Sequence, residues 1–307
     1  MDRPAAIKRG PSGMAETVAR GRRIDLAADL AVGEGLQEML AGALEALRAR
    51  SSAAARPNAE AVHRFRVGLR RLRSILSAFA DALPEAERGA LGGQLRAIAQ
   101  RYGRAREWDV FLVQCVAPLR EAMPQAAGLA ELERLARMAR RRSVPGPSLQ
   151  ESFAAVEAAI VGSSWLRQPE VQSVEQWEMP LRDFAARLLA KRHRQLRKRL
   201  KTADLADQAG FHQLRIRVKK LRYPSELLKS LFDEGAAKKY LRRLIELQDL
   251  MGRTNDALVG EALLRELDAA PAAQPLVAGW LAHDIAAAGR QFPASARALH
   301  RVKPFWE

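Results

Sequence analysis

In HRFRVGLRRLR, His63 to Arg73, a histidine is followed by arginines at i+3, i+7 and i+10. Residues of these types at this spacing suit phosphate: guanidinium forks make bidentate contacts with phosphate oxygens, and a histidine can bind, cap or carry a phosphoryl group. At about 100° per residue, His63, Arg66, Arg70 and Arg73 fall within an arc of about 80°. Phe65, Leu69, Leu72, Ile75, Leu76 and Phe79 take the opposite side, so the stretch predicts a helix with an apolar back and a cationic front.

The pattern returns as HQLRIRVKKLR, His212 to Arg222. The offset, 212 minus 63, is 149, and neighbouring features keep it: Asn58 maps to Asp207, Leu95 to Leu244, and Tyr102-Gly103-Arg104 to Met251-Gly252-Arg253. In the second copy His212, Arg215, Lys219, Arg222 and Tyr223 share a face, with Leu214, Val218 and Leu221 behind it. A cationic helix face is ordinarily just a solvated one. Such faces mix signs, however, whereas no Asp or Glu occurs between Ala61 and Ala80 or between Gln208 and Ser225. Like charges at i+3 and i+4 repel, and a penalty accumulated twice in register points to a ligand that relieves it. The same surroundings should lower the pKa of each histidine, leaving it largely neutral until a polyanion binds.

A third basic element precedes the second copy. In LRDFAARLLAKRHRQLRKRLK, Arg187, Lys191, Arg194, Lys198 and Lys201 form one stripe, and Leu181, Leu188, Leu189, Leu196 and Leu200 gather on another side. Its first-half counterpart, LQEMLAGALEALRAR, is far less basic.

The elements that must position these residues are helices. The 307-residue chain is rich in Ala, Leu, Arg and Glu and poor in aromatics, a composition of long amphipathic helices. Helix breaks are expected at Arg56-Pro57-Asn58, Leu83-Pro84, Val144-Pro145-Gly146-Pro147 and Ala270-Pro271. The reading is an all-α chain of two helical halves related by a pseudo-two-fold axis: a flexible basic stretch over 1–23, a first half over 24–165 and a second over 166–307. A net charge of +16 exceeds what solubility requires and points to a polyanion. The single cysteine, Cys115, has no disulfide or zinc partner and fits a buried site in a reducing cytoplasm. No apolar run reaches signal-peptide or membrane-spanning length, so neither export nor membrane insertion is expected.

At AVHRFRVGLRRLRS, FHQLRIRVKKLRY, YGRAREWDV, LIELQDLMGRTNDA and the closing KPFW, the sequence resembles the CHAD family, the conserved histidine α-helical domain. The resemblance runs from about Ile24 to Trp306. It implies two four-helix bundles related by pseudo-two-fold symmetry, with basic helices facing a shared central groove, and non-catalytic binding of inorganic polyphosphate, in the cytoplasm and at polyphosphate granules, with no cofactor or metal. The positions that match are His63, Arg66, Arg70, Arg71 and Arg73, then His212, Arg215, Lys219, Lys220, Arg222 and Tyr223. Arg104, Arg106 and Arg253 lie beside the Gly-Arg turns, and Arg187, Lys191, Arg194 and Lys198 extend the site along the stripe. Two departures stand out. Pro224 falls inside the second motif helix, which it should kink or end. Glu107 stands where the family often has Asp; Glu107, Asp109 and Asp256 are read as partners for arginines.

Other activities fit less well. The tunnel domain often fused to CHAD domains carries Glu-x-Glu-x-Lys, and the Glu85/Glu87 and Glu131/Glu133 pairs lack the lysine. There is no GxxxxGK[ST] loop and no HExxH, and His283-Asp284 stands alone. A phosphotransfer module would use His63, Arg66 and Gly68, but Gly68 maps to Arg217 in the second copy. Nucleic-acid binding, at least weakly, is the stronger alternative. Among the motif aromatics, though, only Tyr223 joins the basic face, which favours a partner without bases.

Overall fold

The computed structural model describes residues 26–27, 29–51, 58–144, 146, 148–168, 174–203, 207–267 and 270–307; the basic stretch expected over 1–23 lies outside them. Among the described residues the chain is all-α: α1 (Val32–Ser51), α2 (Ala59–Ala78), α3 (Glu85–Arg101), α4 (Gly103–Phe111), α5 (Ala117–Ala122), α6 (Leu129–Arg142), α7 (Leu149–Val161), α8 (Val174–Glu178), α9 (Leu181–Lys201), α10 (Gln208–Leu228), α11 (Glu234–Arg265) and α12 (Gln274–His300). A π-helical turn, Leu112–Val116, joins α4 to α5.

Apolar spacing decides what each helix buries. In α1, Val32, Leu36, Met39, Leu40, Ala43 and Leu47 are all buried, as are Phe65, Leu69, Leu72, Ile75 and Leu76 of α2. Each of these side chains other than Ala43 contributes about 1.5–3 kcal/mol relative to exposure. Gly68 lets α1 and α2 close: a Cβ there would meet Leu47 Cδ1 at 2.5 Å. Its role is packing, and the likeness to a phosphotransfer site loses its glycine. At the helix starts, Asn58 Oδ1 accepts from Ala61 N at 2.7 Å, whereas Asp207, its counterpart, makes no side-chain cap.

Of three apolar clusters, two draw on both sequence halves. One joins α1, α2, α3 and α7 to the start of α9 and the end of α10. Another joins α9, α10, α11 and α12 to the carboxyl-terminal Phe305 and Trp306. The third packs α4 to α6, with buried Cys115, against the ends of α11 and α12. As a result α2 meets α10 and α4 meets α11.

Two local expectations differ from the structure. The chain breaks at Tyr102-Gly103, between α3 and α4, but Met251-Gly252-Arg253 lies inside the unbroken 32-residue α11. One interior glycine costs a helix only about 1 kcal/mol, and long packing against α12 outweighs it. Nor does Pro224 end the second motif helix: α10 runs through it to Leu228. A proline at 224 removes the N–H that would reach the Lys220 carbonyl, and the Arg192 guanidinium donates to that carbonyl instead.

Candidate polyanion site

Where α2, α4, α10 and α11 meet, cations from the first three helices gather beside Asp256 of α11. Arg66 lies in the field of Arg70, Arg73, Arg106 and Glu107. Arg215 lies in that of Asp256, Tyr223 and Arg70, and Asp256 is surrounded by Arg215, Arg106 and Lys219. Arg70 therefore links the two motif helices, and its guanidinium stands 5.4 Å over the ring of Tyr223. Arg73, at the edge, faces Arg96 of α3.

The electrostatics are those of crowded, partly desolvated charge. Burial lowers the pKa of Arg66 and of Arg215, and like charges lower both further, although Asp256 offsets this at Arg215. Burial raises the carboxyl of Asp256 above its usual range; a hydrogen bond from Asn255 and the cations Arg215, Arg106 and Lys219 oppose it. The buried Nε of Arg215 has no hydrogen-bond acceptor among the described residues. On α6 the exposed cations pair along the helix, Arg134 with Glu131 and Arg137 with Glu133, at i+3 and i+4. Mixed-sign pairing of that kind is what a merely solvated face shows.

Asp256 is an internal anion facing these cations, and a phosphate bound there would compete with it. Asp256→Asn should therefore raise affinity for long-chain polyphosphate about 3- to 10-fold by titration calorimetry at fixed salt, and unchanged or weaker binding would count against the cluster as the site.

The other sequence-predicted residues are distributed. His63 is half-buried and His212 exposed, near the starts of α2 and α10. Arg71 is half-buried on α2. Arg66 has a second duty: its Nη1 donates to the Ala99 carbonyl at the end of α3, so part of that guanidinium is committed to a helix terminus. Arg104 is engaged by Glu107 and Glu266 and stacks on Trp108, and Arg253 donates to Gln291 at 3.1 Å. Lys220 turns towards Arg217 and Arg192 beside α9, away from Lys219's cluster.

Arg222 corrects the sequence reading: it is 2% exposed, and its Nε donates to Glu226 at 2.9 Å. The carboxylate-free window ended one residue short of the glutamate, and i+4 spacing brings the two together. The basic stripe of α9 also divides. Lys191 pairs with Asp81 at 2.9 Å, Arg187 is exposed, and Arg194 and Lys198 line a separate groove against the carboxyl-terminal segment. The expected acidic partners fall out clearly: Glu107 binds Arg104, Asp109 takes Arg140 of α6 at 2.9 Å, and Asp256 faces the central cations.

Arg192 is the residue the sequence did not single out. It lies between the basic faces, donates to the Lys220 and Ser77 carbonyls, and burial lowers its pKa to about 10 against the pull of Asp81. The signal available was Pro224, which leaves a carbonyl in need of a donor; the sequence could not show which donor reaches it. Among the described residues no group of three or more His, Cys, Asp or Glu side chains could hold a metal, and no helix is long and apolar enough to cross a membrane.

Fold and site together describe an all-helical protein with an internal cluster of cations. The model of the CHAD domain matches residues 38–265, and the chain belongs to that family. Its fold is similar to the crystal structure of the CHAD domain from the plant Ricinus communis, with a TM-score of 0.76 and 26% identity over 93% of this chain and 97% of that one. It is also similar in fold to PptA from Streptomyces chartreusis, with a TM-score of 0.66 and 18% identity over 87% of this chain and all of the other. No curated protein sequence matches it.

Proposed function

We propose that the chain binds inorganic polyphosphate at the cluster formed by Arg66, Arg70, Arg106, Arg215 and Lys219, without chemistry on it, and that this binding directs the protein to polyphosphate granules in the cytoplasm. The observation that carries the reading is convergence: cations from three helices, α2, α4 and α10, drawn from both sequence halves, meet beside Asp256 of α11. A chain of linked phosphates supplies closely spaced charge to such a cluster, with guanidinium forks and the Lys219 ammonium as donors. The duplicated motif, with α2 and α10 as equivalent elements of two pseudo-symmetric bundles, accounts for cations arriving from two directions.

A polymer without bases is favoured over nucleic acid by Tyr223. It is the aromatic side chain of the basic face, and the Arg70 and Arg222 guanidiniums lie 5.4 and 5.6 Å from its ring centroid. A ring so flanked offers little to a stacking base. Competition tests the reading. At matched salt and phosphate concentration, long-chain polyphosphate should displace fluorescent single-stranded DNA at least about tenfold more effectively than unlabelled DNA does. Equal displacement by the two polymers would sink the polyphosphate assignment in favour of general polyanion or nucleic-acid binding.

A further inference from the structure

Four cations of α9, Arg194, Arg197, Lys198 and Lys201, line a groove of about 470 Å3 whose far side includes Pro304 and Glu307. That volume is within the roughly 300–1,000 Å3 of ligand pockets. The wall is held by aromatic packing: Phe305 and Trp306 are buried, with ring centroids 5.7 and 5.0 Å from Tyr240, and Trp306 stands 5.7 Å from His193. Anchored there, residues 304–307 lie alongside α9 and turn a helix face into a groove.

The groove carries surplus positive charge. Arg194, Lys198 and Lys201 have no carboxylate within 4.0 Å among the described residues, although Lys191, on the same stripe, is paired with Asp81. Arg197 has the His300 ring nitrogen Nε2 at 3.2 Å and no carboxylate within 4.0 Å among the described residues. Glu307 supplies the one acidic side chain of the lining, against four cations. The buried His193 registers the excess: its pKa falls to about 4, through burial first and then Arg197, His300 and Arg194. None of the cations in the central cluster comes from α9.

We propose that this groove is a second anion site, separate from the central cluster, that takes a ligand with several phosphates held close together. Arg194, Lys198 and Lys201 follow one another at i, i+4 and i+7, a rise of about 10 Å, which several linked phosphates can span and a single orthophosphate cannot. Glu307 stands in as an internal anion that the ligand displaces. The phosphates can come from the end of a polyphosphate chain or from a free, small polyphosphorylated molecule; the chemistry is shared.

Inorganic tripolyphosphate is the probe, titrated calorimetrically into the full chain. Arg194→Ser, Lys198→Ser and Lys201→Ser together, all at exposed positions, should remove one class of tripolyphosphate sites or weaken it about tenfold or more. Glu307→Gln should strengthen that class. A variant with the central arginines reversed, Arg70→Glu with Arg215→Glu, should keep it. Unchanged stoichiometry and affinity in the triple variant, or loss of all tripolyphosphate binding in the central variant, overturns the second site. The central reading fails on a different result, namely undiminished long-chain polyphosphate binding by the central variant. In that variant, displacement of tripolyphosphate by long-chain polyphosphate identifies the polymer as the source, and displacement by inositol hexakisphosphate identifies a small molecule. Displacement by neither overturns the assignment.

Discussion

Arg70→Glu together with Arg215→Glu lowers affinity for long-chain polyphosphate by at least about 100-fold, while the helical circular dichroism remains. The magnitude follows from two charge-assisted contacts, each about 1.5–3 kcal/mol, replaced by repulsion, with about 1.4 kcal/mol corresponding to tenfold. The choice of residues is structural. Arg70 links α2 to α10 through Tyr223, and Arg215 faces Asp256 with its buried Nε lacking an acceptor among the described residues. Arg66 is a poorer choice despite its place in the motif, because its loss would also strip the Ala99 carbonyl at the end of α3 of its donor. Since Arg215→Glu sets two carboxylates side by side, the neutral pair Arg70→Gln with Arg215→Gln is the companion. It should retain the fold and still bind at least about tenfold more weakly. Full affinity in the folded neutral pair refutes the site.

The second large effect is on stability. Arg192→Met should destabilise the chain by about 2–4 kcal/mol in urea unfolding, because two carbonyls lose their donor and each unsatisfied group costs about 1–3 kcal/mol. One is Ser77, in the last turn of α2; the other is Lys220, which lacks the backbone donor that Pro224 cannot supply. Pro224→Ala restores a backbone N–H four residues after Lys220. The cost of Arg192→Met should then fall by roughly half in the Pro224→Ala background, since only Ser77 is left unserved. An identical cost in both backgrounds would show that Arg192 does not act through the Lys220 carbonyl.

The sequence revealed the helix faces and much less of what lies between helices. Period 3.6 placed Phe65, Leu69 and Leu72 behind the first cationic face, and all three are buried. The same geometry placed Arg215 and Lys219 together, and both face Asp256. It misplaced Arg222, because a helical wheel does not reveal that a residue at the edge of a face turns inward when a glutamate waits at i+4. The Met251-Gly252 segment looked like Tyr102-Gly103 and yet continues as helix, since neighbouring packing and not the glycine alone decides whether a chain breaks.

The stripe of α9 shows the same limit at larger scale. Five regularly spaced cations read as one edge, but Lys191 lies against Asp81 while Arg194 and Lys198 face the carboxyl-terminal segment. Regular spacing fixes direction along a helix; which neighbour each direction meets is set by how the helices pack. Asp109 and Arg140 illustrate the converse, a part-buried pair between α4 and α6 whose partners are 31 residues apart.

A crystal structure of the full chain with polyphosphate of defined length tests the central claim most directly. The account predicts phosphate oxygens within hydrogen-bond distance of Arg70, Arg106, Arg215 and Lys219, with Asp256 displaced from these cations or protonated. Polyphosphate bound elsewhere, with those four side chains still gathered around Asp256, would contradict it.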